Sequence, residues 1–154
     1  MISRAMFDEF IAPYHRELLA EIKKQFCVAA IDSDGEISEV TGWFAELGYH
    51  CINPLERQTG MDLMALRNRY PQMAFMGGYN KRCMSQGPPA IAAEFESLKP
   101  LFRKGKFIPA VDHQTPCEVS LQNYRHYLKA SEGFFAEMGV ASKLIAHSNE
   151  GNLR

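Results

Sequence analysis

Four short apolar runs, each closed by polar residues and followed by a stretch of helical periodicity, constrain this chain more than any other feature. The runs are residues 27–31 before Asp32-Ser33-Asp34-Gly35, 50–52 before Asn53-Pro54-Leu55-Glu56, 73–76 before Gly77-Gly78-Tyr79-Asn80-Lys81, and 107–111 before Asp112-His113. Apolar runs without polar alternation read as strands buried on both faces, and strands alternating with helices imply parallel pairing. Their starts recur at about the interval of a βα unit. Right-handed crossovers then lay the strands side by side in chain order. The expected fold class is α/β, with four parallel βα units preceded by a helix. Parallel α/β proteins place their chemistry where strands end, so Asp32, Asp34, Glu56, Lys81, Asp112 and His113 are expected on one rim.

The stretches between the runs carry helix signals. Ser3 can cap a helix whose apolar stripe is Phe7, Phe10, Ile11, Leu18, Leu19 and Ile22, with a break at Pro13. Residues 40–47 turn Trp43, Phe44 and Leu47 inward, and Gly48 closes that helix as a C-cap. A further helix starts at Thr59 or Asp62 and ends before Pro71. Another follows Pro88-Pro89, its last turn split by Pro100. Ser120 caps the last, which runs through Phe134. Residues 1–138 are expected as the α/β domain and 139–154 as a polar tail.

Composition removes several function classes. Among 154 residues the net charge is −1, and like charges do not cluster, so nothing favours nucleic acid or an anionic membrane surface. The longest apolar stretch falls well short of the roughly 18 residues a membrane span needs. The N-terminus lacks a signal-peptide pattern, and a cytoplasmic address is the default expectation. Cys27, Cys51, Cys83 and Cys117 show no zinc-knuckle or Cys-x-x-Cys spacing. They are expected as reduced thiols, with Cys117 near enough to the last strand to reach the rim.

The rim residues carry the chemistry. Asp32 and Asp34, two apart, could share a metal, bind another cation, or hold one proton between them; a simple helix-entry turn is the alternative. His113 beside Asp112 suits general acid–base work or metal ligation. Lys81 and Arg82 could hold an anionic substrate or pair with the aspartates. Glu56 is either a rim carboxylate or a helix N-terminal charge. The pair Gly77-Gly78 completes no dinucleotide or phosphate-loop fingerprint.

These strings also carry a resemblance. Asp-Ser-Asp-Gly (32–35), Asn-Pro-Leu-Glu with Gly-Met-Asp (53–56 and 60–62), Tyr-Pro (70–71), Gly-Gly-Tyr-Asn-Lys-Arg (77–82), Ile-Pro-Ala-Val-Asp-His (108–113) and Asn-Tyr (123–124) occur in the order of the C-terminal half of the uroporphyrinogen decarboxylase superfamily, which the chain resembles from about Ser3 to Phe135. The resemblance implies the C-terminal half of a (β/α)8 TIM barrel. It implies an activity among decarboxylation of uroporphyrinogen and methyl transfer to or from a corrinoid or thiol, with the methyltransferase-like branch favoured. In that branch a zinc ion activates a thiol or a corrinoid carries the methyl group. The branch's His-x-Cys zinc motif falls on Asp32-Ser33-Asp34, which offers neither imidazole nor thiolate. Asn80 stands where similar sequences carry Asp. The decarboxylases' arginine-rich segment and essential Asp, on early strands, have no counterpart in this chain.

Two hypotheses follow. In the first, the chain carries half of an enzyme's site, with Asp34, His113 and Lys81 catalytic and Asp32, Glu56 and Asp112 binding substrate. Asp32, Asp34 and His113 would then hold a divalent metal that prefers oxygen ligands, or a corrinoid would be carried by a partner protein. The substrate would be a tetrapyrrole or a methyl donor. In the second, the chain is a catalytically inactive half-barrel or fragment, pairing as a homodimer or with a separate N-terminal half-barrel. Open parallel strands leave unpaired edges, which favour such pairing.

Overall fold

A computed structural model describes residues 2–25 and 27–140; beyond Val140 the expected polar tail lies outside the described residues. The elements run α1 (Arg4–Phe10), α2 (Ala12–Lys24), β1 (Ala30–Asp32), α3 (Val40–Leu47), β2 (Cys51–Asn53), α4 (Leu63–Arg69), β3 (Ala74–Tyr79), α5 (Pro88–Arg103), β4 (Phe107–Val111) and α6 (Leu121–Glu137). Short 3-10 turns lie at Arg57–Thr59 and Lys81–Gln86. All four strands form one parallel sheet in the order β1-β2-β3-β4. This is the arrangement expected for half of a βα barrel. Among the described residues no helix is long and apolar enough to cross a membrane.

Two compact units divide the chain. Met1–Lys81 with Leu98–Thr115 holds the sheet, and the other takes Arg82–Ser97 and the residues from Pro116 onward. In the sheet unit the strand register sets Ile31, Ile52, Phe75 and Phe107 in one row, of which Ile52, Phe75 and Phe107 are buried. Phe7, Ala12 and Trp43 form a second core, with Ile11, Val40, Phe44 and Leu47 packed on it. The Phe7 ring lies 5.2 Å from Trp43 and 5.5 Å, edge-on, from Phe44. In the other unit Phe95 stacks on Tyr127 at 5.6 Å and packs on Phe134 at 5.4 Å.

Several local signals hold. Ser3, Asp62 and Ser120 cap α1, α4 and α6 with side-chain oxygens, and Gly48 ends α3 in the left-handed region. Others are corrected by pairing. The first strand starts at Ala30 rather than Cys27, because β1 exists only where β2 pairs with it; Cys27 and Val28 are exposed. The glycines expected as a turn after the third run lie inside β3, where Gly77 and Gly78 pair with Pro109 and Ala110. Pro100 does not split α5; the buried side chains Phe95, Leu98 and Leu101 anchor the helix on both sides of it. Pro88 and Pro89 lie in its first turn, where the missing N–H groups have no helical partner to lose. The break near Pro13 falls at Ile11, so no single stripe runs through α1 and α2. Phe7, Ala12 and Leu19 are buried, whereas Phe10 and Leu18 are exposed.

Two features brace the sheet at opposite ends. Ahead of β3 and β4, the buried Arg67 of α4 donates to the Met73 carbonyl at 2.6 Å, the Lys106 carbonyl at 3.3 Å and the Tyr70 carbonyl. Its guanidinium lies 4.7 Å from the Phe75 ring centroid, and burial draws its pKa below the ordinary arginine value. Near the other end, Gly77 has φ +113, and a Cβ there would stand 1.7 Å from the Pro54 carbonyl oxygen. That same oxygen accepts the Gly78 N–H at 3.0 Å.

Three outcomes are expected. Gly77→Ala combines a backbone clash with a left-handed φ, and urea denaturation should show a loss on the order of 3 kcal/mol or no folded protein. Arg67→Met strands buried carbonyl acceptors and should cost roughly 3 kcal/mol in the same assay. Burial pushes the Cys51 thiol pKa up, while Cys27 and Cys117 are exposed. A disulfide reagent at neutral pH should therefore modify Cys27 and Cys117 quickly and reach Cys51 only on unfolding, as peptide mapping would show.

Candidate functional site

The rim is built by the turns that follow the strands of the sheet unit. After β2, Leu55 adopts φ 62 with its side chain 1% exposed. A left-handed conformation costs a non-glycine residue about 1 kcal/mol, and burial of the leucine holds it there. The next residue is Glu56, itself only 9% exposed. Its Oε2 accepts the Gly35 N–H at 3.1 Å, and its Oε1 accepts from the Gln58 amide at 3.3 Å. The Lys81 ammonium lies 3.6 Å from the same Oε1. Glu56 thus ties the turn after β1 to the turn after β2 and faces the cation that follows β3.

His113 follows β4 and places Nε2 3.6 Å from Asp34 Oδ1. Asp34, Glu56 and His113 each offer a ligand atom, and all of these atoms lie within 4.8 Å of one another. Four strand ends therefore contribute to one cluster: Asp34, Glu56, Lys81 and His113. Beside it opens a cavity of about 420 Å³ lined by Asp32, Asp34, Pro54, Val111, His113 and Gln114.

The two remaining rim residues are placed differently from the sequence reading. Asp32 ends β1 and accepts from the Asn53 amide at 2.9 Å across the β1–β2 pair, so it faces the cavity and stands outside the three-ligand cluster. The chain leaves the strand after Asp32, and the period-two alternation that would align Asp32 with Asp34 no longer applies. Glu56 takes the place in the cluster that spacing had suggested for Asp32. Asp112 is 1% exposed, with Oδ2 accepting the Arg57 N–H at 2.8 Å and Oδ1 the Lys81 N–H at 3.1 Å. Its carboxylate faces backbone rather than the open rim, which leaves it no surface for substrate. Sequence reasoning did not single out Gly35, Asn53 or Gln58 as contributors. Gly35 and Asn53 lie inside the strings already noted, whereas Gln58 carries no motif signal.

Chemically, two carboxylates and one imidazole make an oxygen-rich donor set suited to a harder divalent cation. The thiolate–zinc centre of the methyltransferases does not fit these residues. Among the described residues no cysteine joins the cluster, and Cys51 lies buried at the opposite end of β2 from its rim turn. The same groups could also move a proton, with His113 as acid or base and Lys81 offsetting the charge of Glu56.

A model of the family described as uroporphyrinogen decarboxylase (URO-D) matches residues 1–134. No curated protein and no solved structure matches the chain. The matched span contains the whole sheet, every rim turn and nearly all of α6, and on that match the chain belongs to the uroporphyrinogen decarboxylase (URO-D) family.

Proposed function

We propose that the chain supplies half of the rim of a methyltransferase-like enzyme of the URO-D family, with a divalent cation held by Asp34, Glu56 and His113. The observation that carries this reading is the convergence of those three ligand atoms within 4.8 Å at the ends of β1, β2 and β4. Metal use belongs to the methyl-transfer branch in the family resemblance, and the donor set here replaces soft ligands with carboxylates. The cation would act as a Lewis acid toward a thiol or other acceptor in the adjoining cavity, or a corrinoid on a partner protein would present the methyl group. Lys81 serves as an electrostatic clamp beside Glu56. Asp32, braced by Asn53, lines the cavity as the group that meets substrate.

A second reading is favoured by the sheet itself. Among the described residues β1 and β4 each pair on one side only, and Ile108 of β4 is exposed. A half-barrel that acts solely by pairing, with a second copy or with a separate N-terminal half, would use those edges. Metal titration separates the readings. Under the first, calorimetry with Mn²⁺ shows saturable binding that Glu56→Gln and His113→Ala abolish and Asp32→Asn retains. Binding that is absent in the natural chain, or unchanged in Glu56→Gln and His113→Ala, removes the ligand assignment and leaves the pairing reading.

A further inference from the structure

The mutual placement of the cluster side chains traces back to one buried group that belongs to none of them. Asp112 lies at the end of β4, next in sequence to His113. Its Oδ1 takes the N–H of Lys81, a cluster member, and its Oδ2 takes the N–H of Arg57, the residue after Glu56. A single carboxylate therefore joins the turns after β2 and β3 to the end of β4. Glu56 is held from its other side by the Pro54 carbonyl, which accepts from Gly78 and stands against the bare Cα of Gly77. Asp34 then joins through its neighbour, since Gly35 donates to Glu56. Glu56, Lys81 and His113 are thus each within one residue or one hydrogen bond of the Asp112 tie, and Asp34 is linked to it through Glu56.

Carboxylate oxygens at 1% exposure need hydrogen-bond partners within the protein, and backbone N–H groups on two separate turns supply them. Ligand geometry within a few tenths of an ångström depends on such supporting bonds, because the ligand side chains are set by the backbone that carries them. We infer that Asp112 is a positioning residue: it sets the separation of Glu56, Lys81 and His113, and hence the cation affinity of the cluster, without touching the cation. This rests on the cation reading given above.

The test compares the natural chain with Asp112→Asn, which preserves shape but sets an amide NH₂ against a backbone N–H. Mn²⁺ affinity is read by calorimetry well below the unfolding temperature. Arg67→Lys serves as the control, because it weakens the same sheet from the opposite strand ends. Asp112→Asn should lower Mn²⁺ affinity by about tenfold or more, while Arg67→Lys lowers thermal stability and leaves affinity unchanged. Equal affinity in Asp112→Asn and the natural chain overturns the positioning role alone. No Mn²⁺ binding by the natural chain overturns the cation reading and this inference with it. Should Asp112→Asn fail to fold, hydrogen exchange of the natural chain decides. The amides of Arg57 and Lys81 should gain protection together on adding Mn²⁺, and independent or absent change counts against the tie.

Discussion

The rim exists because the turn after β2 comes into contact with the backbone of β3. Only a residue without Cβ permits that approach, and Gly77 provides it directly against the Pro54 carbonyl. The approach satisfies that carbonyl through Gly78 and leaves Leu55 in the left-handed region with its side chain sealed in the core. Glu56 emerges from this turn, and its carboxylate reaches the turn after β1 and the Lys81 ammonium. A side chain at residue 77 would force the turn after β2 away from β3 before any rim charge came into play.

Opposite ends of the strands are braced by opposite charges. At the entry to β3 and β4 a buried guanidinium gathers three carbonyl oxygens; at the exit a buried carboxylate gathers two N–H groups. Both exploit the polarity of a parallel sheet, in which strand entries and exits collect on separate edges. Each brace meets backbone groups of the segments that flank the strands, and buried polar backbone must be hydrogen-bonded somewhere. The braces differ in what surrounds them. Arg67 sits among structural residues, whereas the turns tied by Asp112 carry the charged residues of the rim. Parallel barrels in general divide their edges in this way, with stability at the strand entries and chemistry at the strand exits, and the proposed site lies at the exits.

Much of the fold was legible in the sequence because its signals are local. Helix caps at Ser3, Asp62 and Ser120 depend on hydrogen bonds within a single turn, and the fourth strand was found at its observed bounds. The misread boundaries were non-local. β1 is as long as β2 allows, and β3 extends through two glycines because β4 runs beside them. Glycine in a single sequence signals a turn; inside a sheet it also marks a place where another backbone comes close.

The sequence by itself determined the βα order, the parallel sheet that follows from it, and the gathering of acidic and basic residues at the strand exits. Those properties follow from periodicity and chain polarity, which are written residue by residue. Which of the exit residues meet was decided only by tertiary structure. Spacing paired Asp32 with Asp34, yet the chain leaves the strand between them, and Asp34 lies with Glu56 and His113 while Asp32 lies with Asn53. Its place at a strand end likewise made Asp112 an expected substrate-binding group, whereas in the structure it is buried and ties two turns together. Contacts among residues twenty to eighty positions apart are set by sheet register and backbone approach, and neither is encoded in the neighbourhood of any one of them.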